Sequence, residues 1–235
     1  MKRTLLIFFI FSFSFTFAQK HVPGYFGKRF SIGYSAMFFP ALRDAPSGKA
    51  LGRKLNAINF TQSIELNYVL NSRRALCFSV GNYRSNLRYY ASNPISGSYF
   101  IKASDKLSTL LISCGFKTFR KKMIAPLGPY MKWEALYGKS IVRYDEIAHK
   151  SGFGSDYQPP DNRMISFNAF GAGWGMGFQR IISDKFVVDL GFRTAVLIDL
   201  ASFNGVASEV HVFASDRVFK SQFMNVRIGI GFLAF

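Results

Sequence analysis

Outside residues 1–18 the sequence has no hydrophobic run long enough to cross a bilayer as a helix. Stretches such as Leu110–Ile112 and Ala195–Ile198 are broken by Asp, Ser or Lys within a few residues, whereas a spanning helix needs about 20 apolar residues. Cysteine is scarce: Cys77 and Cys114 are the two present, too few for a disulfide framework and not at metal-ligand spacing. Acidic residues are scarce as well, 13 against 30 Lys and Arg, for a net charge of +17. A cationic surface of this size attracts phosphate-bearing partners. Nucleic acid is excluded as a partner, because no recognition motif occurs and the N-terminus directs the chain out of the cytoplasm.

That N-terminus begins with Lys2 and Arg3, continues through the largely apolar run Leu5–Phe17, and ends with Thr16 and Ala18 at the positions a signal peptidase reads. Its length is that of a secretory signal rather than a membrane anchor. The expected organisation is a cleaved signal peptide over residues 1–18, a periplasmic lead-in over 19–28 and one domain over 29–235. Removing Lys2 and Arg3 leaves 17 − 2 = +15.

Phenylalanine (27) and glycine (20) are abundant, and they fall in a period-two pattern. Phe30, Ile32, Tyr34, Ala36 and Phe38 oppose Ser31, Gly33 and Ser35, while Ile64, Leu66, Tyr68 and Leu70 oppose Ser63, Glu65 and Asn67. Leu76, Phe78 and Val80 oppose Cys77, Ser79 and Gly81; Leu110, Ile112, Cys114 and Phe116 oppose Thr109, Ser113, Gly115 and Lys117. Met131, Trp133, Ala135 and Tyr137 alternate with Lys132, Glu134, Leu136 and Gly138. Phe170, Ala172, Trp174, Met176 and Phe178 alternate with Gly171, Gly173, Gly175 and Gly177. Phe186, Val188, Leu190 and Phe192 oppose Asp189, Gly191 and Arg193; Met224, Val226, Ile228, Ile230 and Phe232 oppose Asn225, Arg227, Gly229 and Gly231. Each segment has the periodicity of a strand, and Cys77 and Cys114 lie on opposite faces, so a bridge between them is disfavoured.

The connections alternate in length. Long segments (Ala41–Asn56, Ser85–Ser104, Arg143–Asp161, Ala201–Ser221) alternate with shorter ones (Asn71–Arg74, Phe119–Leu127, Ile181–Lys185). Long external loops and short periplasmic turns, with large apolar groups on one face and small or polar groups on the other, predict an all-β, up-and-down antiparallel transmembrane β-barrel of about eight strands. Such a barrel has a lumen that side chains fill, and the glycine row on the sixth strand makes room for long side chains from across it. Aromatics near strand ends (Phe38, Phe60, Tyr68, Tyr130, Tyr137, Phe178, Phe186) fit interfacial girdles.

The C-terminal run Val226–Phe235, ending in an aromatic residue, resembles the terminal strand of outer-membrane barrels. With Ala18-Gln19, Gly128-Pro129-Tyr130 and the Gly-aromatic sixth strand, the chain resembles the small outer membrane protein β-barrel domain families of Bacteroidetes, which include the PorT-like proteins. The resemblance implies a Gram-negative outer-membrane location, Phe235 as the signal for the barrel-assembly machinery, contact with outer-membrane lipid and lipopolysaccharide, and a secretion-complex or periplasmic protein partner. Phe235 and Leu233 are out of phase with Ile228, Ile230 and Phe232, so either a bulge near Phe232–Leu233 or an unpaired tail is expected.

On the inward phase, Glu65, Lys132, Glu134, Asp189, Arg193 and Arg227 carry charge. Buried charges must be paired, so these six are expected to form an ion-pair plug in the lumen. The rival uses are a proton or ion path and a Glu65–Glu134 acid–base pair. A nucleophilic site needs a base touching its nucleophile; His149 near Ser151 and Glu146, and His211 near Ser208 and Glu209, are the candidates for lipid-modifying chemistry, and both fall in expected external loops. No cofactor site is expected. The basic turns (Arg73, Arg74; Arg120, Lys121, Lys122) are available for an acidic partner or for lipid phosphates. The expectation is a non-enzymatic, closed barrel that is structural or an accessory subunit of a secretion or assembly complex; the alternatives are a small pore and, less favoured, an outer-membrane lipid-modifying enzyme.

Overall fold

A computed structural model describes residues 24–25, 27–40, 58–92, 99–120, 123–144, 164–199 and 209–234. The eight strands are β1 (Phe30–Pro40), β2 (Ile58–Asn71), β3 (Arg74–Ser92), β4 (Tyr99–Phe119), β5 (Gly128–Arg143), β6 (Met164–Ile182), β7 (Phe186–Asp199) and β8 (Asn225–Ala234), and helix α1 (Glu209–Phe223) precedes β8. Each strand pairs antiparallel with the next, and β8 returns to β1 through pairs such as Phe30↔Ala234 and Phe38↔Val226, closing the barrel. Closure leaves no strand edge along the shared height of the wall.

The alternation sorts the side chains as expected. Ile64, Leu76, Phe78, Leu110, Trp133, Phe170, Met176, Leu190, Ile228 and Ile230 point outward and are exposed, while the intervening residues are buried or half-buried inside. Cys77 is buried in the lumen and Cys114 exposed on the outer wall. Tyr130 departs from its expected place in a girdle. It is 5% exposed and faces inward, because it lies one residue out of phase with the outward row Met131, Trp133 and Ala135.

Two connections also depart from expectation. The segment Ser85–Ser104 is largely strand, since β3 runs to Ser92 and β4 starts at Tyr99. At 19 and 21 residues these strands exceed the roughly 9–11 needed to cross a bilayer, and their far ends pair only with each other. A two-stranded ribbon that continues past the closed wall need not keep the wall's apolar outer row, which is why the pattern fades there. The β7–β8 connection contains α1 rather than loop alone. Its buried positions His211, Ala214, Val218, Ser221 and Gln222 recur at helical spacing, but only two of them are apolar.

The barrel is stoppered at both ends. At the loop end, Ala214 and Val218 of α1 pack with Phe39, Tyr83, Leu107 and Phe167 in one apolar cluster. At the turn end, Ala125 from the β4–β5 connection is fully buried with Val69, Ala75, Phe119 and Tyr130, and its amide donates to the Ser72 carbonyl at 2.9 Å. Pairing of β8 with β1 continues in register through Ala234, with Leu233 buried. The expected bulge or unpaired tail is therefore absent up to that residue, and Phe235 lies outside the described residues.

The lead-in is tied to the β6–β7 turn. Ser183 and Asp184 both have positive φ, as the tight turns that match strand twist require. The Tyr25 hydroxyl donates to the Asp184 carboxylate at 2.9 Å, and Lys28 Nζ donates to its carbonyl at 3.0 Å.

Candidate functional site: the filled lumen

Between the two apolar stoppers lies a polar layer. Opposed small hydroxyl residues line part of its wall: Ser35 and Ser63 hydrogen-bond at 2.8 Å, Ser79 and Ser113 at 2.7 Å, and Thr109 and Ser140 at 2.9 Å. All three are register pairs, so each hydroxyl meets the one facing it on the next strand. Short side chains here leave the lumen centre to the long charged ones.

The structure brings all six expected charged residues together and adds Lys117. Glu65 on β2 accepts from Lys117 Nζ at 2.7 Å, Lys132 Nζ at 3.0 Å and Arg227 Nη1 at 2.8 Å. Lys132 also reaches Glu134 at 2.8 Å, and Arg193 Nε donates to the other oxygen of Glu134. Asp189 takes Arg227 Nη2 at 3.0 Å and Lys117 at 3.4 Å. Neutral groups complete the shell: Tyr130 OH donates to Asp189 at 2.7 Å, Gln179 to Asp189 at 3.0 Å, and Ser113 to Glu134 at 3.0 Å. Arg193 Nη1 donates to Gln222 at 2.6 Å, joining the network to α1.

The result is one connected system of three carboxylates and four cations, drawn from β2, β4, β5, β7 and β8. Its members are each less than a tenth exposed. Leaving any of these charges unpaired in so dry a place would cost several kcal/mol, and each carboxylate here meets at least two cations. Beside the network lie a cavity of about 20 Å³ lined by Ser35, Ser63, Glu65, Glu134 and Arg227 among others and another of about 20 Å³ bordered by Asn67, Gln179 and Asp189, each roughly one water's worth.

Two glycines show why the sixth strand has its glycine row. Glu134 is the register partner of Gly173, and Tyr130 of Gly177. A Cβ on Gly173 would sit 2.9 Å from Glu134 Oε1, and one on Gly177 would sit 2.5 Å from the Tyr130 hydroxyl. The glycines thus admit side chains from the adjacent strand β5, not from across the lumen.

No protein-family model and no curated protein matches this sequence. Among solved structures, the attachment invasion locus protein Ail of Yersinia pestis is similar at 12% identity with a TM-score of 0.42, over 87% of this chain and 96% of that one. The N-terminal β-barrel domain of Pseudomonas aeruginosa OprF is similar at 10% identity and TM-score 0.39, over 87% and 97%. Neisserial surface protein A is similar at 12% identity and TM-score 0.40, over 87% and 97%. The eight-stranded closed architecture itself is fixed by the strand pairing described above.

The histidine candidates separate. His149 lies outside the described residues. His211 is on α1, buried against Phe167 and hydrogen-bonded to Asp199 of β7, so it helps hold the helix in the barrel mouth. Glu65 and Glu134, the other candidate chemical pair, share Lys132 between them. A carboxylate so bound is poorly placed to exchange protons with a substrate. Lys117, Tyr130 and Gln179 extend the site beyond the residues named from sequence. Lys117 and Tyr130 lie on the inward phase of their strands, so alternation alone carried the signal for both.

Proposed function

We propose that the protein is an integral outer-membrane barrel, closed to solutes, that acts through its end surfaces rather than through its lumen. The observation that carries this reading is the pairing of an apolar outer wall with a lumen occupied from end to end. Exposed rows such as Ile64, Phe78, Leu110, Trp133, Met176 and Ile230 are unstable against water over such an area and suit hydrocarbon. Among the described residues, the seven-charge network and the two apolar stoppers occupy the lumen. In this reading the loop end faces outward and the turns and termini face the periplasm, with residues 1–18 removed after export and Phe235 engaging the assembly machinery.

Within that frame the barrel is a structural membrane protein or an accessory subunit of a secretion or assembly complex. The resemblance to PorT-like proteins of Bacteroidetes favours the accessory role, and the basic turns offer Arg73, Arg74 and Arg120 to an acidic periplasmic partner. The decisive experiment is a tagged pull-down from native outer membranes in mild detergent, with mass spectrometry of what is retained. A stoichiometric protein partner, lost when the basic turns are neutralised, is the expected result. A barrel recovered alone refutes the accessory role and leaves the structural one.

A further inference from the structure

The lumen network carries a surplus of positive charge. Lys117, Lys132, Arg193 and Arg227 meet Glu65, Glu134 and Asp189, four cations against three carboxylates, 4 − 3 = +1. The other acids inside the described barrel wall lie elsewhere. Asp199 holds His211 of α1, and Asp105 stands eight residues before Ser113 on β4, roughly 27 Å along the strand. A buried charge left without a counter-charge costs several kcal/mol. Shedding a proton is no easy remedy, because Lys117 and Lys132 each bridge two carboxylates and guanidinium groups stay charged.

Hydrogen-bond donors are in surplus as well. Both oxygens of every carboxylate in the network are already taken. Those of Glu65 accept from Lys117, Lys132 and Arg227, and those of Glu134 from Arg193, Lys132 and Ser113. Those of Asp189 accept from Tyr130, Gln179, Lys117 and Arg227. Yet among the described residues Arg227 Nε and the hydroxyl of Thr61 have no partner, although Arg227 is 6% exposed and Thr61 0%. The Lys132 ammonium has three hydrogens and two carboxylates to receive them. Ser35 and Ser63 share one hydrogen bond, so one hydroxyl hydrogen of that pair is also left over. Arg227, Thr61, Lys132, Ser35 and Ser63 all line the same lumen cavity.

We propose that this cavity is a binding site for one small monovalent anion, a halide such as chloride, held between Arg227, Lys132 and Thr61. At about 20 Å³ it admits a guest of a single heavy atom and excludes phosphate or sulfate. Three of the network's cations border it, Lys132, Arg193 and Arg227, against two carboxylates, Glu65 and Glu134. Because the carboxylate oxygens are already turned to cations, the charged groups still free to bind a guest there are donors. A water would accept from them but leave the surplus charge uncancelled, whereas a halide does both. The anion is enclosed as the barrel forms, a resident counter-ion rather than a permeant one. Such a site is set by the lumen alone, wherever the barrel resides.

The test is reversible urea unfolding of the whole protein in nonionic detergent, with sodium chloride replaced stepwise by sodium methanesulfonate so that ionic strength and screening stay fixed. Methanesulfonate has the same charge as chloride and is too large for the cavity. A ligand bound only by the folded state raises the folding equilibrium constant about tenfold for each tenfold rise in its concentration above half-saturation, and chloride is expected to do so for the wild type. Lys117 lies outside the cavity wall, so K117M removes the surplus charge and leaves the cavity standing; its stability should be indifferent to chloride. T61V removes one donor without changing charge and should need about tenfold more chloride for the same effect. Crystals of the wild type grown with sodium bromide should show an anomalous-scattering peak beside Arg227 and Thr61, which decides the matter if a variant fails to fold. Equal wild-type stability in the two salts overturns the site. So does a chloride response that K117M and T61V both retain unchanged, or a cavity without bromide in those crystals.

Discussion

Neutralising Glu65 tests whether the lumen network is a single coupled unit. Its two carboxylate oxygens meet Lys117, Lys132 and Arg227, and its side chain is 4% exposed. Glu65→Gln keeps the shape but changes the balance from four cations and three anions to four and two. Arg227 and Lys117 keep Asp189, and Lys132 keeps Glu134, so no cation is wholly stranded. Removing one partner of a buried ion pair costs about 3–5 kcal/mol, and the lower end applies here because second partners persist. With a urea slope of about 2–3 kcal/mol/M, the unfolding midpoint should fall by about 1–2 M without a change of slope. Trp133 and Trp174, paired across the outer wall at 6.4 Å between ring centroids, provide the fluorescence signal in detergent micelles. Adding Lys117→Met removes a cation that has lost its main anion, so the double variant should be more stable than the sum of the singles predicts, by about 1–3 kcal/mol. A shift of E65Q below about 0.3 M, or strict additivity in the double variant, would refute the network as a coupled stabilising unit.

In planar bilayers the wild-type protein should give no resolvable single-channel steps, and regular steps from the purified protein would contradict a filled lumen. Gly177→Ala should destabilise the barrel by about 1–3 kcal/mol through overpacking, since the new methyl meets the Tyr130 hydroxyl at 2.5 Å and the Leu190 carbonyl at 2.7 Å; urea midpoints measure this, and an unchanged midpoint would refute the close packing at Gly177. A lipid-soluble maleimide should label Cys114 and spare Cys77 in the folded protein, with both labelled after unfolding; mass spectrometry of the peptides decides, and early labelling of Cys77 would place it outside the lumen. Unboiled protein should migrate faster on SDS gels than boiled protein, and identical mobility would count against a barrel that resists detergent.

The outer wall was legible because lipid imposes one simple demand, an apolar residue at every second position, and runs such as Phe170–Phe178 meet it without interruption. The polar lumen was legible for a related reason: a charge on the inward phase of such a strand has nowhere to go except to another charge. What stayed hidden answers to neither demand. The outer halves of β3 and β4 stand above the apolar belt, so Arg84 and Lys106 break the pattern while the hydrogen-bond ladder continues. Helix α1 buries His211, Ser221 and Gln222 as well as Ala214 and Val218, because it docks onto a lumen whose middle is charged. An apolar stripe was therefore never available to announce it.

All five acidic residues on the strands, Glu65, Asp105, Glu134, Asp189 and Asp199, are buried inside the wall, and this sorting of charge has one physical cause. Inside the wall, three carboxylates must compensate Lys117, Lys132, Arg193 and Arg227, while Asp199 on the same inner face holds His211 of the helix. Acid moved to the outer wall would leave cations stranded in a dry lumen, at a cost of several kcal/mol each. It would also stand among lipid headgroups whose phosphates repel it. Both constraints push acid inward and leave bases as the tolerated charges outside, so some cation at each rim is expected of any such barrel.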